Sequence, residues 1–311
     1  MHSPIVLFTY NRPLHTKQTL DALAINSVAG QSELYIYCDG VKPSSDDENL
    51  HKINAVREIV YKENRFKKVH VIVQQKNKGL ANSIIDGVTE VINNFGKIIV
   101  LEDDIIVGEY FLNYMNKALA LFENSEQVKQ VSGFAFNLQI PLKQTAYLIP
   151  LTTTWGWATW QRAWKEIDFN PKDYEVLKND SRLKSQFNID NSYDYTSMLF
   201  EQMERKTIDS WGIRYWWSVF KNKGLVLHPD YSLVKNIGFD KSGVHCSDDS
   251  FVESSNWNNR YKVENYPGQF VLNKSYFNST KQFLQITNFP KKPSLKSYIK
   301  IRVKKLLSFI K

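Results

Sequence analysis

Within the first 104 residues, four short Val/Ile/Leu-rich runs alternate with stretches of helical spacing, and the fourth stops on three consecutive carboxylates. The runs are Ile5 to Tyr10, Leu34 to Cys38, Val69 to Val73 and Lys97 to Asp104. Continuous apolar runs of this length read as strands buried on both faces, and strands alternating with helices build a parallel sheet covered on both sides. Pro13 is placed to open the first helix, which carries Leu20, Leu23 and Ile25, because the N–H that proline lacks is unused at a helix start. Further helices are expected around Ile53 to Tyr61 and through Ile84, Ile85, Val88 and Ile92.

Glu102, Asp103 and Asp104 would repel one another unless a cation sat among them. Ligands of open α/β sheets bind just beyond the carboxyl ends of the strands. Two readings follow: a divalent cation carrying a substrate diphosphate, or a solvated acidic turn capping the next helix. The same edge would collect Thr9, Tyr10, Asn11, Arg12 and Pro13 from the first strand and Asp39-Gly40 from the second. An aromatic ring, a guanidinium and a carboxylate there can stack on a base, pair with phosphate and bond a uracil edge or ribose. Neither a dinucleotide-binding glycine fingerprint nor a P-loop occurs, so metal and side chains would hold the phosphates.

At 311 residues the chain can bury a substantial core, and 42 % hydrophobic with 23 % charged residues is a globular composition. Its two cysteines, Cys38 and Cys246, exclude a disulfide framework and a Cys-rich zinc site and fit a reducing compartment. The first strand begins four residues in, without a signal-peptide pattern, and no apolar run approaches membrane-spanning length. A cytoplasmic protein, peripheral on the inner face of the cell membrane, is expected. Lys and Arg number 40 against 32 Asp and Glu, but eight of the basic residues and none of the acidic ones lie in positions 291 to 311. The body is therefore neutral, which argues against nucleic acid as a partner. The tail mixes Leu295, Ile299, Val303 and Leu306 with Lys300, Arg302, Lys304 and Lys305 at helical spacing. It reads as a basic amphipathic helix lying on an anionic membrane surface, with packing back onto the domain as the alternative.

After Asp104 the pattern loosens: Phe111, Met115, Ala118, Leu119 and Phe122 have helical spacing, and Val128 to Phe136 reads as a strand. Beyond Pro150 the chain is aromatic-rich, with helices expected near Tyr195 to Arg205 and Ile213 to Lys221.

Thr9-Tyr10-Asn11-Arg12-Pro13, the Asn77-Lys78-Gly79 turn and the Leu101-Glu102-Asp103-Asp104 strand end together resemble GT-A nucleotide-sugar glycosyltransferases. The nearest branch is that of the N-acetylglucosaminyltransferase of N-glycan processing, whose metal motif is also Glu-Asp-Asp; bacterial relatives assemble surface polysaccharides. The resemblance runs over most of positions 4 to 250. It implies a GT-A (Rossmann-like), mostly parallel α/β sheet flanked by helices, an aromatic-rich acceptor half and a C-terminal amphipathic helix. It divides the chain into one catalytic domain at 1–290 (nucleotide-sugar half 1–136, acceptor half 137–290) and a basic tail at 291–311. It implies Mn²⁺ or Mg²⁺ as cofactor and a nucleotide-diphosphate sugar, UDP-linked for preference, as donor. The acceptor would be a glycan or lipid-linked glycan, and transfer would be of a hexosyl or N-acetylhexosaminyl unit with inversion.

By the same resemblance, Asp39 binds the nucleoside, Asp104 is the main metal ligand, and Glu102 and Asp103 support ribose, sugar or metal, with Asp103 a second metal candidate. The segment Thr154-Trp155-Gly156-Trp157 matches a sugar-facing stretch in which glycine lets the backbone approach the sugar and Trp157 stacks on it; a tryptophan-rich core seam is the alternative. An inverting transferase needs a carboxylate to take the acceptor proton, and Asp209 occupies the matching region, with Glu201 and Glu204 as alternatives and a helix cap as the structural reading. The polar stretch Asn236 to Cys246 reads as a loop able to close over phosphates, with His245 reaching the diphosphate or the metal. Two rivals stay open: a sugar nucleotidyltransferase, which would normally carry a glycine-rich loop after the first strand, and a non-catalytic membrane- or carbohydrate-binding protein retaining the fold.

Overall fold

The four N-terminal runs form strands, and the computed structural model, which describes residues 2–240 and 257–288, joins them into half of an eight-stranded sheet. These are β1 (Ile5–Thr9), β2 (Glu33–Cys38), β3 (Lys68–Val73) and β4 (Lys97–Glu102), mutually parallel in the order β3-β2-β1-β4. Helices α1 (Pro13–Ala24), α2 (Asp47–Tyr61) and α3 (Leu80–Phe95) make the crossovers. Pro13 is the first residue of α1, and Asp46 caps α2 by accepting the Asn49 N–H at 2.8 Å. Every residue of β1 is buried, as a strand covered on both faces requires.

Register decides where the functional side chains emerge. Thr9 pairs with Cys38 and Phe8 with Glu102, so the three central strands end nearly level. Tyr10 to Arg12, Asp39-Gly40 and Asp103-Asp104 therefore leave the sheet along one edge. The acidic run is a turn between two strands rather than a lead into a helix. After Asp103 and Asp104 the chain resumes as β5 (Ile105–Val107), which will pair with a distant strand.

The second half is α4 (Phe111–Leu121), β6 (Val128–Ser132), β7 (Ala146–Ile149), β8 (Trp157–Trp160), α5 (Gln161–Trp164), α6 (Ser181–Phe187), α7 (Tyr195–Phe200), α8 (Trp211–Lys221), β9 (Leu225–Pro229), β10 (Val234–Asn236) and α9 (Lys274–Asn288). The strand expected over 128–136 stops at Ser132, whose Oγ accepts the Phe134 N–H at 3.0 Å and turns the backbone out of the ladder. β8 inserts antiparallel between β4 and β6; β9 lies parallel to β6, and β7 closes the edge antiparallel to β9. The sheet is α/β and mostly parallel, and each of its antiparallel pairs involves β7 or β8. β5 and β10 form a separate antiparallel ribbon.

The aromatic richness goes mainly into packing. Trp157, Trp164, Trp211 and Tyr215 form one cluster with ring centroids 5.2–6.0 Å apart. Buried indoles still need partners: Trp164 donates to Thr89 Oγ1 (2.9 Å), Trp160 to Leu119 O (2.9 Å) and Trp217 to Asp173 Oδ1 (3.0 Å). Among the described residues no helix is long and apolar enough to cross a membrane. The tail at 291–311 lies outside the described residues.

His228 on β9 is fully buried, with Nε2 2.9 Å from Leu151 O and Nδ1 3.2 Å from Phe134 O. A neutral ring has one N–H, and the shorter contact assigns it to Nε2. Burial lowers the pKa to about 4 from 6.5, against the pull of the two carbonyls. Because the folded value is depressed, this contribution to stability is complete above pH 6.5 and lost as pH falls toward 4. The unfolding free energy of wild type should therefore drop by about 3 kcal/mol more than that of His228→Gln between pH 7 and 4, at about 1.4 kcal/mol per pK unit. Denaturant titrations at both pH values check this; equal drops would refute it.

Candidate functional site

A cavity of about 400 Å³ opens at the edge where the strands end. Thr9, Tyr10, Asn11 and Arg12 from the end of β1, Asp39 after β2, and Asn77 and Gly79 before α3 line it. Glu102, Asp103 and Asp104 form its acidic wall, and Asp209, just before α8, faces in from the other half. The expected site residues among those described thus share one cavity, apart from Trp157.

Their hydrogen bonds sort them into scaffold and working groups. Asp39 is 8 % exposed and its carboxylate is saturated: Oδ1 accepts the Gly40 and Lys78 N–H groups (2.8 and 2.9 Å), while Oδ2 accepts the Gly79 N–H and Asn77 Nδ2 (both 3.0 Å). It clamps the turn before α3, so direct nucleoside bonding through this carboxylate would have to break that clamp. The Thr9 hydroxyl is likewise turned inward, to Tyr37 O and Cys38 Sγ. Asn11 donates to Asn49 on α2 at 2.6 Å, and Asn49 in turn reaches the Tyr10 hydroxyl at 3.3 Å, which fixes the Tyr10 ring at the rim. Lys42 lies 5.6 Å over that ring and also lines the cavity. Nothing in the sequence near Lys42 marks it, because its place depends on the fold bringing the β2–α2 link beside β1.

The acidic wall carries its own counter-ion. The Arg12 guanidinium bridges Asp103 Oδ1 and, at 3.0 Å, Asp104 Oδ2. Burial opposes the Arg12 charge, but the two carboxylates outweigh it and raise its pKa. Burial, then the Asp104 and Asp103 charges, raises the Glu102 pKa, with Arg12 opposing. Burial also raises Asp103, opposed by Arg12. One guanidinium does not neutralise three carboxylates.

A divalent cation fits this wall in a restricted way. The donors are all oxygen, as Mg²⁺ or Mn²⁺ requires, but among the described residues no three ligating side chains converge on one point. The Asp103 side chain is 4 % exposed and that of Asp104 13 %, so of the two Asp104 is the more accessible from the cavity, with Asp103 behind it. Such a donor set suits a cation whose remaining ligands are phosphate oxygens and water, not one caged by protein.

Trp157 corrects the sequence reading. It is 1 % exposed, paired with Val100 and Ser132 in mid-sheet, and packs on Trp164 and Trp211. Gly156 has φ +58°, and its Cα faces Val234 and Phe111 rather than open space, so the glycine serves a tight chain crossing. Within this segment the tryptophan that lines the cavity is Trp155, set edge-on against Phe134 (4.9 Å) and Phe239 (5.7 Å); Trp211, at the start of α8, also lines it. β8 begins at Trp157, which places Trp157 in the sheet and leaves Trp155 before it.

Asp209 does not cap α8; Ser210 does, accepting the Ile213 N–H at 3.3 Å. The Asp209 side chain is 60 % exposed, with Arg214 Nη2 3.5 Å from Oδ1. Glu201 and Glu204 do not line the cavity; Glu204 pairs with Lys178 at 2.6 Å and Glu201 with Arg205 at 3.7 Å. Of the expected phosphate loop, residues 236–240 lie against the acidic wall: the Ile237 N–H donates to Asp104 O at 2.9 Å, and Gly238 and Phe239 line the cavity. His245 lies outside the described residues.

No family model matches the chain, and no curated protein does. Solved structures do resemble it. One is the mannosyltransferase PcManGT of Pyrobaculum calidifontis, in complex with GDP-Man and Mn²⁺, at 11 % identity and TM-score 0.40, covering 71 % of this chain and 69 % of that one. Another is S. aureus TarS 1–349, at 13 % and 0.42, covering 75 % and 60 %; the chain spans less than two thirds of that protein. Glucosyl-3-phosphoglycerate synthase of Mycobacterium tuberculosis, in complex with Mn²⁺, UDP and glucosyl-3-phosphoglycerate, is similar at 12 % and 0.33, covering 55 % and 60 %. Likenesses this distant carry no activity across.

Proposed function

We propose that the protein is a GT-A-type, cation-assisted glycosyltransferase that moves a sugar from a nucleotide-diphosphate donor to a hydroxyl acceptor. The observation that carries this is the meeting of Arg12, Asp103 and Asp104 with Asp209 across one cavity at the carboxyl edge of the parallel strands. Tyr10 at the rim offers a ring for the base. Arg12 and Lys42 offer positive charge to the diphosphate, and Trp155 offers an apolar wall to a sugar face. Asp209, solvated and aimed at the cavity from the second half, takes the proton of the attacking hydroxyl. A divalent cation held by Asp104, with Asp103 behind it, would offset negative charge on the departing diphosphate.

Within this reading the donor is a UDP-sugar, transfer inverts the anomeric centre, and the moved unit is a hexose or N-acetylhexosamine. The acceptor is a glycan or lipid-linked glycan of a surface polysaccharide. A single catalytic domain over 1–290, with strands of both halves interleaved in one sheet, and a basic tail at 291–311 resting on the inner face of the cell membrane complete the proposal. Purified protein incubated with a panel of UDP-, GDP-, CMP- and TDP-sugars should consume one class of donor in Mn²⁺ and none in EDTA. Consumption of no donor, or pyrophosphate release from a sugar phosphate and nucleoside triphosphate, would remove it.

A further inference from the structure

Asp104 is engaged by a counter-ion before any ligand arrives. Arg12 holds its Oδ2 and reaches Asp103 with the other arm of the guanidinium. The segment 237–238 packs against the pair: Ile237 donates to the Asp104 carbonyl, and a methyl group on Gly238 would overlap Asp104 Oδ2 and stand 3.0 Å from Arg12 Nη1. His15 holds this segment from α1, with Nε2 3.3 Å from Ile237 O and from Asp240 Oδ2. A cation that comes alone must therefore compete with a tethered guanidinium for the oxygens it needs.

We propose that Arg12 is an internal competitor of the divalent cation, so that Asp104 is released to the cation when a diphosphate gives Arg12 another anion to hold. Arg12 is in this sense a positioning residue: it couples cation capture to nucleotide capture, and the free cation binds weakly. The claim rests on the proposed function for the identity of the diphosphate, whereas the competition between Arg12 and the cation stands on the ion pairs themselves. A guanidinium suits the task because its planar fork spans two carboxylates, a geometry that an ammonium cannot reproduce.

The test is Mn²⁺ binding, read from the free-ion electron paramagnetic resonance signal, for wild type, Arg12→Gln and Arg12→Lys, with and without UDP. Removing one positive charge from beside two carboxylates should tighten binding of Mn²⁺ alone at least about tenfold in Arg12→Gln, and to a smaller degree in Arg12→Lys. UDP should tighten Mn²⁺ binding at least about tenfold in wild type and much less in Arg12→Gln. If Mn²⁺ alone binds both variants no more tightly than wild type, Arg12 does not compete and the inference falls. If UDP leaves the wild-type affinity unchanged, the nucleotide reading is what fails; tighter Mn²⁺ binding by Arg12→Gln would still support the competition. Arg12→Lys, which keeps the charge, serves should Arg12→Gln fail to fold.

Discussion

Asp104→Ala is expected to lower kcat/KM for sugar transfer by at least about a thousandfold, the scale on which removing a transition-state charge stabiliser acts. The size follows from position. Asp104 lines the cavity with its side chain 13 % exposed, while Asp103 is buried against Arg12 and burial beside two carboxylates raises the Glu102 pKa. Asp103 cannot stand in without giving up its ion pair to Arg12. The substitution should leave the fold intact, because the backbone bond from Ile237 goes to the Asp104 carbonyl and Thr19 anchors the turn through Asp103 O at 2.8 Å. A thermal midpoint near that of wild type, together with lost transfer, is the expected pair of results. Retained transfer in excess EDTA would show that no cation acts through Asp104.

Asp209→Asn should reduce kcat by about a hundredfold to ten-thousandfold, the range for loss of a general base, with little change in donor affinity. The amide keeps the shape of the carboxylate but cannot accept the acceptor proton. Asp209 is exposed and outside the α8 cap, so its replacement has little structural cost. Glu201 and Glu204 are paired with basic residues away from the cavity and should not rescue the variant. Single-turnover kinetics with saturating donor check this; an unchanged rate would place the base elsewhere.

The parallel half of the sheet was legible because its strands are buried on both faces and therefore read as unbroken apolar runs. The other half was legible in its helices, α4 (Phe111–Leu121) and α8 (Trp211–Lys221), but not in its shortest strands. β7 and β8 are four residues long, and β8 is built from Trp157, Ala158, Thr159 and Trp160, a composition that serves a sugar platform and a core seam equally well. Burial chose the seam for Trp157, and the left-handed turn at Gly156 left Trp155 at the cavity. Strand ends announced the site because parallel register makes them level, and that needs only local pattern. What each side chain bonds to was invisible, since partners come from far along the chain. Asp39 is consumed by Lys78 and Gly79, and Arg12 by Asp103 and Asp104. Asp39 and Arg12 were recognisable as residue types suited to a nucleotide, yet in the folded chain one is a clamp and the other a counter-ion.

The most direct measurement is calorimetric titration of UDP and GDP into wild type and Asp104→Ala, each in Mn²⁺ and in EDTA. The cavity described above should bind one of these nucleotides in Mn²⁺ at a single site, and that binding should be lost in EDTA and in Asp104→Ala. Binding of neither nucleotide to wild type, or equal binding in all four conditions, would contradict a cation-assisted nucleotide-sugar site.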